Sequence, residues 1–114
     1  MNENRSAAMQ YIVLLTMVFT SASISASDFD ETNAAAKLGD TEAQFSLGVM
    51  YASGEGVLEN KLSAYLWWSM AKMQGDKDAA GNLDMLKPRM TEQQISEAQA
   101  LAAKCYESDY KDCD

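Results

Sequence analysis

Apolar residues recur along this chain at three- and four-residue intervals, broken by glycine and by capping residues, and the intervals predict a series of short helices. Ala43, Leu47, Met50 and Tyr51 fall on one face of a helix that Asp40 or Thr41 caps and Gly54 stops, with Gly56-Val57 completing the turn. Asn60 caps a partner helix in which Ala64, Trp67, Trp68 and Ala71 share helical spacing until Gly75 ends it. The small alanines allow the two helices to approach closely. A third helix is predicted from about Asp76 to Lys87, because Pro88 disfavours helical geometry in the residue before it. Thr91 with Gln94 forms a capping box. The helix it opens carries Ile95, Ala98, Leu101, Ala102 and Cys105 as one stripe, with Glu92, Gln94 and Glu97 turned to solvent. Before all of these, residues 30–38 read as a leading cap helix.

The pattern repeats. A shift of 36 positions pairs Ala35 with Ala71, Gly39 with Gly75, Asp40 with Asp76, Glu42 with Asp78, Ala43 with Ala79 and Leu47 with Leu83. A period in the thirties is what two short antiparallel helices and their turns require, and such units bury their apolar faces by stacking on neighbours. The string Gly39, Ala43, Leu47-Gly48, Tyr51, Gly54, Gly56-Val57, Ala64, Trp67, Ala71 and Gly75 resembles the Sel-1-like repeat of the tetratricopeptide-like superfamily, one full repeat covering about residues 36 to 71. The second unit keeps Gly75, Asp76, Ala79 and Leu83 but lacks the Leu-Gly-x-x-Tyr and Gly-x-Gly-Val elements, as a degenerate terminal unit would. The resemblance implies an all-α fold, a short tetratricopeptide-like α-hairpin solenoid acting as an adaptor or scaffold.

The first residues follow a different grammar. Tyr11 to Phe19 form an apolar run interrupted only by Thr16, followed by the small residues Ser21 to Ala26. The run is about half the ~20 residues that a membrane-crossing helix needs, so it reads as a signal peptide cut after Ala26. Arg5 is offset by Glu3, which keeps an uncleaved anchor as the alternative. No cysteine follows the run to carry a lipid. The expected organisation is a signal peptide over 1–26, a cap helix over 27–38, the Sel-1-like repeat over 39–75, a degenerate repeat with a capping helix over 76–106, and an acidic tail over 107–114. The expected location is the periplasm or the exterior of a bacterial cell, with no stable membrane anchor after cleavage.

Composition narrows the function. The chain of 114 residues has room for one domain, and its single proline and few glycines leave most of it free to be helical. Seventeen acidic residues against nine basic ones give a net charge of -8, which repels phosphate backbones and argues against a nucleic-acid partner. The chain has no histidine, so it lacks the commonest neutral-pH base and the commonest metal ligand.

Cys105 and Cys113 are the only cysteines, and an even pair in an exported chain reads as a disulfide tying the tail to the last helix, with a redox pair or metal site as the alternatives. Such a bond contributes roughly 2 to 3 kcal/mol in the chain-entropy model. Ser69 with Lys72 and Ser108 with Lys111 match Ser-x-x-Lys, yet the elements that accompany it in penicillin-binding enzymes are absent. Gly54-Glu55-Gly56 has neither the lysine nor the strand of a phosphate loop, and the tail acids lack the glycine-pivoted spacing of a calcium loop. No catalytic residue, metal site or cofactor is expected.

Trp67 and Trp68 point about 100° apart on a helix, so unequal burial is expected, with Trp67 in the core. Tyr51, Tyr65 and Trp68 are then candidates for an exposed aromatic binding surface, since tyrosine and tryptophan are common interface anchors, with core packing as the alternative reading for each of them. The leading expectation is a module that binds a protein or peptide. A weak hydrolase or a cell-wall or β-lactam-binding protein is one alternative, and a self-associating scaffold, a homo-oligomer, is another.

Overall fold

The structure is a computed structural model that describes residues 26–114. The expected signal segment lies outside the described residues except for Ala26. The described residues are all-helical, with α1 over Ala26–Lys37, α2 over Thr41–Ser53, α3 over Lys61–Met73, α4 over Lys77–Leu86, a 3-10 turn over Lys87–Arg89 and α5 over Glu92–Glu107.

Capping chemistry sets these boundaries. Asp40, Asn60 and Asp76 stand in extended backbone and accept from the amides of Ala43, Ser63 and Ala79, each satisfying a donor the first helical turn leaves open. Thr91 and Gln94 exchange both bonds of the capping box. Gly54 closes α2 at φ 74°, and its amide donates to the Met50 carbonyl. Pro88 falls in the 3-10 turn, where its missing amide breaks the helical ladder after Leu86.

The corners entering α2 and α4 share one geometry. Gly39 and Gly75 are left-handed at φ 92° and 99°, and the amides of Asp40 and Asp76 reach back to the carbonyls of Ala35 and Ala71. The 36-residue shift therefore matches turns residue for residue. The helices that follow differ in their packing. The closely packed pairs are α1 with α2, α2 with α3, α3 with α4, and α3 with α5. The last helix packs against α3, which makes α3 the centre of the described residues.

That position overturns one expectation. Trp67 is 1% exposed and Trp68 is 6% exposed, so the two are almost equally buried. They do point in different directions, but a central helix has a core on each side. On one side Trp68 packs with Tyr65, Ala71, Leu83, Leu86, Met90 and Ala98. On the other, Trp67 packs with Ala36, Leu47, Leu66, Met70, Ala102, Cys105 and Cys113.

Candidate functional site

Position on α3 and its neighbours decides where the candidate aromatics go. Trp68 lies against α2, its indole N–H donating to the Phe45 carbonyl at 3.1 Å. The approach requires Gly48, because a Cβ there would stand 2.4 Å from the indole Cδ1. Tyr65 is buried towards α5, with its hydroxyl 3.4 Å from the Gln99 amide nitrogen. Tyr51 is half-buried and meets Phe29 of α1 edge-to-face, ring centroids 5.6 Å apart. Burial pushes the Tyr51 hydroxyl above its ordinary pKa, and the nearby Asp114 carboxylate adds to the rise. The three aromatics face three different neighbours and two are buried, so the expected exposed aromatic surface is corrected: they hold helices together.

Cys105 and Cys113 are brought together, with sulfurs at bonding distance, 2.00 Å, and Cα atoms 4.4 Å apart. The tail turns through left-handed residues Asp109 and Tyr110, and the Tyr110 amide donates to the Cys105 carbonyl at 2.9 Å. The Tyr110 ring then covers Gly39, where a Cβ would stand 3.3 Å from it. Lys37 pairs with Asp114 at 3.1 Å, and Lys104 with Asp112 at 3.2 Å. The acidic tail thus fastens α5 to the corner between α1 and α2.

Both serines of the Ser-x-x-Lys stretches bond to backbone. Ser69 donates to the Tyr65 carbonyl at 2.7 Å, the usual back-bond of a helical serine. Ser108 donates to the Cys105 carbonyl and accepts from the Asp112 amide, both at 2.9 Å, which shapes the tail turn. Among the described residues no group of three or more acidic or cysteine side chains is arranged to hold a metal ion.

What the sequence reading missed is a groove of about 370 Å³ between the carboxyl-terminal halves of α2 and α4. Val49, Ala52 and Ser53 of α2 line it on one side and Asn82, Met85 and Leu86 of α4 on the other, with Trp68 of α3 between them. Met85 is 68% exposed, an apolar side chain off the buried stripe of Ala79, Leu83 and Leu86. Its departure from the helical period is the sequence signal that marks this side. The groove ends where the α2–α3 turn brings Glu59 and Lys61 beside Arg89 of the 3-10 turn. Lys61 Nζ lies 3.5 Å from the Arg89 carbonyl and donates to it, bridging the two segments.

A second polar feature also escaped prediction. Gln44 is completely buried, donating to the Ala36 carbonyl at 3.1 Å and accepting from the Gln74 amide at 2.7 Å. Gln74 also donates to the Gly39 carbonyl at 3.1 Å, so two glutamines join the end of α3 to the α1–α2 corner. A buried amide satisfied on both sides fixes register, and nothing in the helical period announces it.

No protein-family model matches the chain, and no curated protein matches it.

Proposed function

We propose that the protein is an exported binding module of the α-hairpin solenoid kind, which holds a segment of another protein in the groove between α2 and α4. The observation that carries this reading is a groove of mixed apolar and polar lining in which the apolar Met85 stays open to solvent while the aromatics around it are consumed by packing. Concave sites with apolar walls and a few convergent polar groups are the usual form of a binding site. The matching corners at Gly39-Asp40 and Gly75-Asp76 support a repeat of Sel-1-like character, in which the groove lies between the first helices of two successive units. Export is supported by the apolar leader and the paired cysteines, and no described helix is long and apolar enough to cross a membrane. The mode of action is surface complementarity without covalent chemistry.

The test is capture from the envelope fraction of the native host, comparing the natural protein with Met85→Ser. Met85 supports no buried packing, so the variant keeps its circular dichroism and melting temperature and loses the captured protein. Undiminished capture by a folded Met85→Ser protein refutes the groove as the docking site.

A further inference from the structure

The groove contains more information than its apolar residues. Lys61 is half-buried and Arg89 exposed, and neither forms an ion pair with a described residue. Both stand at the end of the groove where α2 and α4 terminate, on a protein whose net charge is -8. Three of the other cations, Lys37, Lys87 and Lys104, are engaged with Asp114, Asp84 and Asp112.

We propose that the groove takes the carboxyl-terminal end of a partner polypeptide, its terminal carboxylate between Lys61 and Arg89 and an aliphatic side chain against Val49, Ala52 and Met85. The inference rests on the groove being the docking site. Charge argues for one carboxylate. A strongly acidic partner is repelled by the protein as a whole, and Glu59 beside the two cations leaves a local surplus of a single positive charge. At contact these local charges dominate, because salt screens the rest beyond about 8 to 10 Å. Shape argues for a chain end. Lys61 Nζ reaches the Arg89 carbonyl, which holds the two cations side by side where a chain-end carboxylate can meet both, and a volume of about 370 Å³ suits a few side chains. Charge-assisted hydrogen bonds to a lysine and an arginine are among the stronger polar contacts available to a carboxylate.

The experiment uses two immobilised pools of random octapeptides ending in leucine, one with free carboxyl termini and one amidated. The protein is retained by the free-carboxyl pool and binds the amidated pool roughly tenfold or more weakly, the scale expected when a paired charge is removed. In Lys61→Gln/Arg89→Gln, and to a smaller degree in Arg89→Gln alone, the pools become equivalent and the salt dependence of binding disappears. Met85→Ser weakens binding to the free-carboxyl pool without changing its salt dependence. Equal retention of the natural protein on both pools, or none on either, overturns the chain-end proposal. A selective pool response that survives both substitutions in folded variants overturns it as well. The groove itself is judged separately by envelope capture with Met85→Ser, so it can stand when the chain-end proposal falls. A purely structural role for the two cations, as partners of helix carboxyl termini, predicts lower melting temperatures with unchanged pool selectivity, and that result too defeats the proposal.

Discussion

The two cores that flank α3 are built from opposite kinds of contact. The buried residues on the Trp68 side fall between Ala64 and Ala98, so consecutive elements supply them. On the Trp67 side they run from Ala36 to Cys113, and the core closes only when the first described helix meets the tail. Closing a longer loop costs more chain entropy, though only about 0.6 kcal/mol for each doubling of length. The larger demand on the second core is that a short, exposed tail must be held in place. The disulfide, the Lys37–Asp114 pair, the Tyr110 ring on Gly39 and the Gln44–Gln74 bridge all lie on this side. The Trp68 side has the groove and little reinforcement beyond packing. One side is therefore fastened, and the other is left open along one wall.

The comparison breaks most visibly at the disulfide. Replacing Cys105 and Cys113 by serine removes about 2.5 kcal/mol of chain-entropy stabilisation and puts hydroxyls into the Trp67 core. Denaturant titration should show at least that loss. Hydrogen exchange should accelerate at α1 and the end of α5 and stay slow along α3 and α4, and uniform acceleration would mean that the cores are not separable. The protein isolated from its native host should be lighter than its reduced form by the two thiol hydrogens, and thiol labelling at both positions would remove the premise.

A smaller change sharpens the Trp68 side. Glycine to alanine inside a helix ordinarily stabilises by about 1 kcal/mol. At Gly48 the sign should reverse, because the added Cβ meets the indole ring at 2.4 Å and the ring is fixed by its bond to the Phe45 carbonyl. Overpacking of this kind costs roughly 1 to 3 kcal/mol, and a lost indole hydrogen bond about 1 more, leaving Gly48→Ala destabilised by about 1 to 3 kcal/mol overall. A blue-shifted or red-shifted tryptophan emission should accompany the loss. A stabilised Gly48→Ala protein would show that α2 and α3 are not in this close contact.

Much of the framework was legible because caps and turns are local. Asp40, Asn60, Thr91 with Gln94, Gly54 and Pro88 act within three or four residues of themselves and perform as the spacing predicts, while Asp76, expected as the start of the third helix, caps it from one residue outside. The equal burial of Trp67 and Trp68 was not legible from a stripe, since it depends on α5, distant in sequence, packing against α3. A signal was nevertheless present: residues 64 to 68, with Met70 and Ala71, are apolar almost all the way around the helix, as in a helix enclosed on all sides. Gly48 appeared in the repeat pattern without its reason, which is the indole across the interface. The groove residues were missed because Val49 with Ala52, Lys61, and Met85 with Arg89 come from three separate stretches of the chain and meet only through the way α2 and α4 end.

The smallest expected effect tests the Trp67 side by titration. Tyr51 packs at the edge of that core, and burial raises its pKa, with Asp114 of the fastened tail as the second cause. An unfolded tyrosine titrates near pH 10, so above that pH the unfolded chain releases this proton while the folded chain still holds it. The stabilisation from holding Tyr51 neutral is therefore complete below about pH 10 and is lost as pH rises through the higher folded value. Stability should fall more steeply across that range in the natural protein than in Tyr51→Phe, which keeps the ring contact with Phe29 and has no proton to release. Denaturant melts of the two proteins from about pH 8 to pH 11 isolate the Tyr51 contribution from that of every group the two proteins share. Because Asp114 contributes, Asp114→Asn should remove part of the gap and leave the portion due to burial. Parallel curves for the natural protein and Tyr51→Phe would show that this hydroxyl is as well solvated in the fold as in the unfolded chain, and that the seam between α1 and the tail is looser than its contacts imply.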